Sequence, residues 1–184
     1  MRPTEELKNE HNGVLLALKI LEKVCNLYKE GNPLPVQHIA QLLDFLTVFV
    51  DKCHHGKEEE LLFPAMIELG FSKTEGPIAV MLFEHQEGRS FIKGMKDAYE
   101  QLGKNSQKGS DDFIQHAMSY IGLLRQHIEK ENNVLFMMAD SRISQIKQKE
   151  LLEGFEEIEE KQIGKGRHEE FHEMLHLFRD IYLK

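Results

Sequence analysis

A chain of 184 residues is long enough to bury a sizeable core as one domain without cross-links. Its 23 Lys and Arg against 31 Asp and Glu give a formal charge of −8, which excludes a sequence-independent grip on nucleic acid or an anionic membrane and favours cations. No apolar run reaches the roughly 18–20 residues that span a bilayer, and the opening MRPTEELKNEH lacks the apolar stretch of a signal peptide. The only cysteines, Cys25 and Cys53, form no CxxC, so a reducing, cytoplasmic setting is expected.

Proline and glycine punctuate the chain at intervals suited to long helices, and short β-branched runs do not alternate as strands would. The expected fold is all-α. A first helix starts near Pro3–Thr4, carries Leu7, His11, Val14, Leu18, Leu21 and Val24 on one stripe, and ends at Gly31-Asn32-Pro33. The second covers 35–69 with Gly70 as its stop, and Pro64 should kink or reset it. The third follows Gly76-Pro77, carries His85, Phe91, Met95 and Tyr99, and ends near Leu102. Residues 103–110 read as a loop, and Ser110 or Asp111 as the cap of a fourth helix that carries Phe113, Tyr120, Leu124, His127, Leu135 and Phe136. Residues 1–140 thus make one bundle. The charged stretch 141–184, with Gly164 and Gly166, should add one or two shorter helices packed outside it on the same domain. No internal repeat or linker is visible.

The ten histidines are the informative surplus. They recur on the apolar faces of all four bundle helices, and on two of these a glutamate follows four residues later: His54 with Glu58, His127 with Glu131. Residues four apart lie one above the other on a helix, so each pair offers a nitrogen and an oxygen to one point. His55 flanks Glu58 from the other side, about 100° around the axis from His54, an arrangement that suits a bridging glutamate with one histidine for each of two metals. With His11 and His85 the set is five imidazoles and two carboxylates, near what two octahedral irons need once a solvent-derived bridge is added, with one position left for a small ligand. Mixed nitrogen and oxygen donors without thiolate suit iron or manganese, with zinc as a substitute. A lone helical histidine or a single HxxxE pair is more often a solvated or core feature than a ligand; the constellation carries the argument, because burying it without metal costs several kcal/mol.

The stretches EHNGVLLAL (10–18), CHHGKEEELLFPAM (53–66), GPIAVMLFEHQEGR (76–89) and LLRQHIEKENNVLF (123–136) resemble, in order, the four motif blocks of the hemerythrin HHE cation-binding family. The resemblance covers about residues 5–140 and implies an up-down-up-down four-helix bundle with a non-heme di-iron centre. It implies that Glu58 and Glu131 bridge the irons and that His11, His54, His85 and His127 are terminal ligands. Oxygen-carrying members place a second histidine four residues after the third-helix one. Here that residue is Arg89, and the neighbouring His55 takes up the missing ligand; their fourth-helix carboxylate also follows its histidine by five, not four. Met137 stands where many members have proline.

Other features rank lower. Glu59, four residues after His55, rivals Glu58, but the phase of Leu61, Leu62 and Ala65 favours Glu58. His168, His172 and His176 form a stripe open to a second metal site, a lid or a pH-sensitive packing face. Cys53 beside His54 is a small apolar residue or a redox sensor, Gly88 and Gly122 suggest close helix approach or room for a ligand near His85 and His127, and His38 and His116 carry no metal role. The expected function is O2 or NO binding, sensing or storage at a di-iron site, a binding protein more than an enzyme. The alternatives are a di-iron enzyme acting on peroxide, O2 or NO or on damaged iron centres, and a metal-stabilised regulatory module.

Overall fold

The computed structural model describes residues 1–102, 106–164 and 166–184, and every regular element among them is helical. Helix α1 is Pro3–Lys29; Pro3 at its first position sacrifices no hydrogen bond, and the Glu5 carboxylate accepts the Arg2 backbone N–H at 2.8 Å. Helix α2 runs over 36–68, α3 is Gly76–Leu102, α4 runs over 107–142, α5 is Gln145–Gln162 and α6 is Arg167–Tyr182. Gly164 and Gly166, with φ of 82° and 87°, turn the chain between α5 and α6 in a conformation that a Cβ would resist. No helix among the described residues is long and apolar enough to cross a membrane.

Helix α4 starts earlier than the sequence suggested. Its cap is Ser106, whose hydroxyl accepts the Gly109 N–H, so 107–110 are helical; residues 103–105 lie outside the described residues. Gly109, taken as a loop signal, is a packing glycine, since a Cβ on it would stand 2.7 Å from the Gln101 Cβ of α3. Gly88 does face α4 in ordinary van der Waals contact with Tyr120, whereas Gly122 faces open space and marks no close approach.

Two helices widen into π-turns. In α2 the stretches Leu46–His54 and Glu58–Leu62 are π-helical, and in α4 so is Glu131–Leu135. The His55 N–H reaches Val50 O, Phe63 reaches Glu58 O, and Phe136 reaches Glu131 O, each one residue farther back than in an α-helix. The reset expected at Pro64 is taken up by the wide turn just ahead of it. Met137 holds the same place relative to Glu131 as Pro64 does to Glu58, and the wide turn forms there without proline. The two helices that carry a His-x-x-x-Glu pair are the ones that widen; α1 and α3 are uninterrupted.

The apolar interior falls into two clusters. The larger gathers Val14, Leu18 and Leu21 of α1, Phe45 and Cys53 of α2, Ile92 and Met95 of α3, and Tyr120 and Leu124 of α4. The smaller gathers Leu7, Leu62, Phe63, Ile78, Met81, Leu135 and Phe136. Between them each of the four helices contributes polar side chains to one buried layer: His11, then His54, His55, Lys57 and Glu58, then His85, then His127 and Glu131. Helix α5 packs on α2 and α1, and α6 packs on α1, with Phe171 edge-on to Phe45 and Phe49.

Candidate metal centre

Each histidine reaches the layer because it occupies a position on an apolar stripe, and its orientation comes from a neighbouring helix. The Nδ1–H of His11 donates to Asn132 Oδ1 at 2.9 Å, that of His54 to Glu10 Oε2 at 2.6 Å, that of His85 to Glu59 Oε1 at 2.7 Å and that of His127 to Glu84 Oε2 at 2.9 Å. In each neutral ring Nε2 is then a bare lone pair aimed inward. These lone pairs meet: His11 and His54 at 3.0 Å, His85 and His127 at 3.2 Å. Facing lone pairs repel unless a cation lies between them, and two nitrogens bound at about 2.1 Å to one ion at a right angle stand ~3 Å apart.

The carboxylates complete the pattern. Glu131 turns Oε2 to His11 at 3.2 Å and Oε1 to His127 at 3.1 Å; Glu58 turns Oε1 to His54 at 3.9 Å and Oε2 to His85 at 3.4 Å. All four oxygens are buried and hydrogen-bond to nothing, and neither do both ring nitrogens of His55. Buried acceptors of this kind are costly unless a cation binds them. Two groups of converging donor atoms result, His55–Glu58–His85–His127 and His11–His54–Glu58–Glu131, which together hold all seven residues singled out from the sequence. Glu58 belongs to both.

Protons take the cation's place when no metal is bound. Burial works to lower the His127 pKa, but the charge of Glu131, 3.1 Å away, and the hydrogen bond to Glu84 outweigh it and push the ring up to about 10. Burial raises the Glu131 carboxyl and the charge of His127 more than offsets this, holding it well below the usual carboxylate range. His55 behaves oppositely: burial, then repulsion from His85, His54 and His127, keeps it neutral, with a free lone pair. Its ring stacks on His85 at 3.8 Å.

The remaining candidates sort by contact. Glu59 holds His85 and accepts from Arg89, whose Nε also donates to Asp51 Oδ1 at 2.7 Å, 3.6 Å from His55 Nδ1. Arg89, standing where oxygen carriers have a histidine, thus braces the carboxylates beside His85 and His55. Burial pushes the Cys53 thiol up to about 12, which removes the thiolate a redox sensor needs. His38 bonds the Tyr182 hydroxyl at 2.5 Å, and His116 packs beside Gly94. His168 and His172 meet each other away from the centre.

Sequence reasoning missed the supporting residues Glu10, Glu84, Asn132 and Lys57. A signal existed, because Glu-His occurs at 10–11 and 84–85 and His-x-x-Lys-Glu at 54–58 and 127–131. The structure gives these two short motifs equivalent contacts. Glu10 holds His54 and accepts from Lys57; Glu84 holds His127 and accepts from Lys130. A local repeat is therefore present where none was expected. Carboxylates behind ligating histidines fix the ring and raise its basicity. Glu10→Gln and Glu84→Gln should each weaken metal affinity about 10–100-fold with the fold intact, as read by chelator competition; unchanged affinity in both would show that these carboxylates do not tune the centre.

The family model described as hemerythrin HHE cation binding domain matches residues 2–139. A probable iron-sulfur cluster repair protein of Haemophilus influenzae is 32% identical over 137 residues, 70% of this chain and 58% of that protein. The iron-sulfur cluster repair protein YtfE of Musicola paradisiaca is 31% identical over 145 residues, 73% of this chain and 61% of that one. An uncharacterised protein of Mycobacterium tuberculosis is 23% identical over 169 residues, 88% of this chain and 63% of its own length. The chain therefore spans about six tenths of these relatives. No solved structure matches it. With the family model covering three quarters of its length and its buried histidines and glutamates gathered in one layer, the chain belongs to the hemerythrin HHE cation-binding domain family.

Proposed function

We propose that the chain is a non-heme di-iron protein, an up-down-up-down bundle over 1–140 extended by 141–184, that serves in iron–sulfur cluster repair. The observation that carries the dinuclear reading is that Glu58 and Glu131 each turn one oxygen to each histidine group. Iron is favoured by the nitrogen and oxygen donors and the absence of thiolate among them. When bound, an iron pair would supply one-electron redox chemistry and Lewis acidity toward a small ligand. The residues do the rest. Glu58 and Glu131 would hold both ions, the carboxylates behind the rings hold the imidazoles in register, and Phe136 over His11 and Phe63 over His85 screen water. Repair is favoured by the relatives bearing that name at 31–32% identity.

The second reading is uptake of O2 or NO. It is favoured by an unequal imidazole count: the His85–His127 side gains His55 as a third ring, whereas the His11–His54 side has two, so an ion held there would be more open to a diatomic. Metal analysis with an optical spectrum of aerobic protein tests the common ground; two irons per chain with oxo-bridged di-ferric bands are expected, and protein that takes only zinc or one iron would sink it. Anaerobic incubation of the iron-loaded chain with an iron-depleted iron–sulfur enzyme then separates the readings. Recovery of that enzyme's activity supports repair, whereas no recovery together with a spectrum that responds reversibly to O2 or NO supports ligand binding.

A further inference from the structure

The histidine stripe of α6 resolves into a pair. His168 and His172 stand one turn apart, their rings stack at 4.8 Å, and their Nε2 atoms face each other at 2.9 Å. The Nδ1–H of His168 donates to Glu159 Oε1 of α5 at 2.6 Å, which leaves its Nε2 as a lone pair pointed at His172. This arrangement repeats the one at the centre, where a carboxylate on Nδ1 turns Nε2 toward a second Nε2 about 3 Å away. Both rings line a cavity of about 770 Å³ between α1, α2, α5 and α6, lined also by Glu6, Glu10, Glu156 and Glu169.

We propose that His168 and His172 hold a single divalent transition-metal ion, separate from the central pair, with water completing its shell. Two imidazoles select borderline ions such as Fe²⁺, Co²⁺ or Zn²⁺ over Ca²⁺ and Mg²⁺, which take oxygen ligands. The site lies at the outer end of a polar chain. Glu159 Oε2 accepts from Lys57 Nζ at 3.1 Å, Lys57 donates to Glu10 Oε1 at 2.5 Å, and Glu10 Oε2 accepts from His54. An ion there sits in an acidic recess that reaches Glu10, the support of His54.

The test loads the full chain with iron, equilibrates it with Zn²⁺, removes free metal by gel filtration and counts both elements. Wild-type protein should retain one zinc per chain beyond the central pair. His168→Ala and His172→Ala should each bind that zinc at least tenfold more weakly and lose it on the column with iron content unchanged, while His176→Ala keeps it. No additional zinc on the wild type, or undiminished zinc on the His168→Ala/His172→Ala double variant, would overturn the proposal. Iron and zinc are counted separately, so failure here leaves the di-iron reading standing, and failure of that reading leaves this site measurable.

Discussion

Replacing either Glu58 or Glu131 with alanine is expected to drop the metal content of the purified chain from two ions to below one. Each carboxylate stands between both histidine groups, so its loss removes one donor from each ion and also the negative charge that offsets two dications. The same loss should appear as heat sensitivity. An ion held at 100 times its dissociation constant stabilises by about 2.7 kcal/mol, and two ions by roughly 5 kcal/mol. In a domain of this size about 1 kcal/mol moves Tm by ~2–4 °C, so stripping wild-type protein with a chelator should lower Tm by ~10–20 °C. The alanine variants should melt near the stripped wild type and respond little to chelator. Glu58→Gln and Glu131→Gln, which keep the volume, control for packing; two full ions in both alanine variants would remove the bridging assignment.

Lys57→Ala should be the most damaging change outside the seven histidines and glutamates of the polar layer. Lys57 is wholly buried, and its ammonium donates to Glu6 at 2.9 Å, Glu10 at 2.5 Å and Glu159 at 3.1 Å. Burial works to lower its pKa, but Glu10 and the hydrogen bonds to Glu10 and Glu6 raise it on balance, so the side chain stays charged. Removing one partner of a buried charge cluster leaves the rest uncompensated, at a cost of about 3–5 kcal/mol. Lys130, its counterpart in the second motif, is 41% exposed and holds only Glu84, so Lys130→Ala should cost under about 1 kcal/mol. Urea unfolding of the two variants measures the contrast. Equal, small losses would mean that Lys57 does not neutralise that interior.

The all-α class and the layer of seven residues were legible because both depend on spacing within a helix, where each residue advances about 100° and the phase of His54 and Glu58 follows from the chain itself. What was not legible depends on how one helix is rotated against another. Glu10 adjoins His11 in sequence yet holds His54, and Glu84 adjoins His85 yet holds His127, since neighbours on a helix diverge and the flanking side chain meets the next helix. Glu59 looked like a rival ligand for the same reason; only the position of α3 turns it into the support of His85. Gly109 was misread as a loop marker because its purpose is the nearness of Gln101, which no local pattern displays. The π-turns escaped too. A kink was expected from Pro64, but Glu131–Leu135 widens with Met137 in the corresponding place, so the wide turn does not depend on the missing N–H of a proline.

The polar layer accompanies a division of the apolar interior into two clusters, which share the half-buried Leu61 at their edge. Dications held there would act as rivets between two otherwise separable blocks. Cooperativity would then be a property of metal loading: the occupied chain is expected to melt as a single unit, and the stripped chain to loosen first at the smaller cluster of Leu7, Phe63, Ile78 and Phe136.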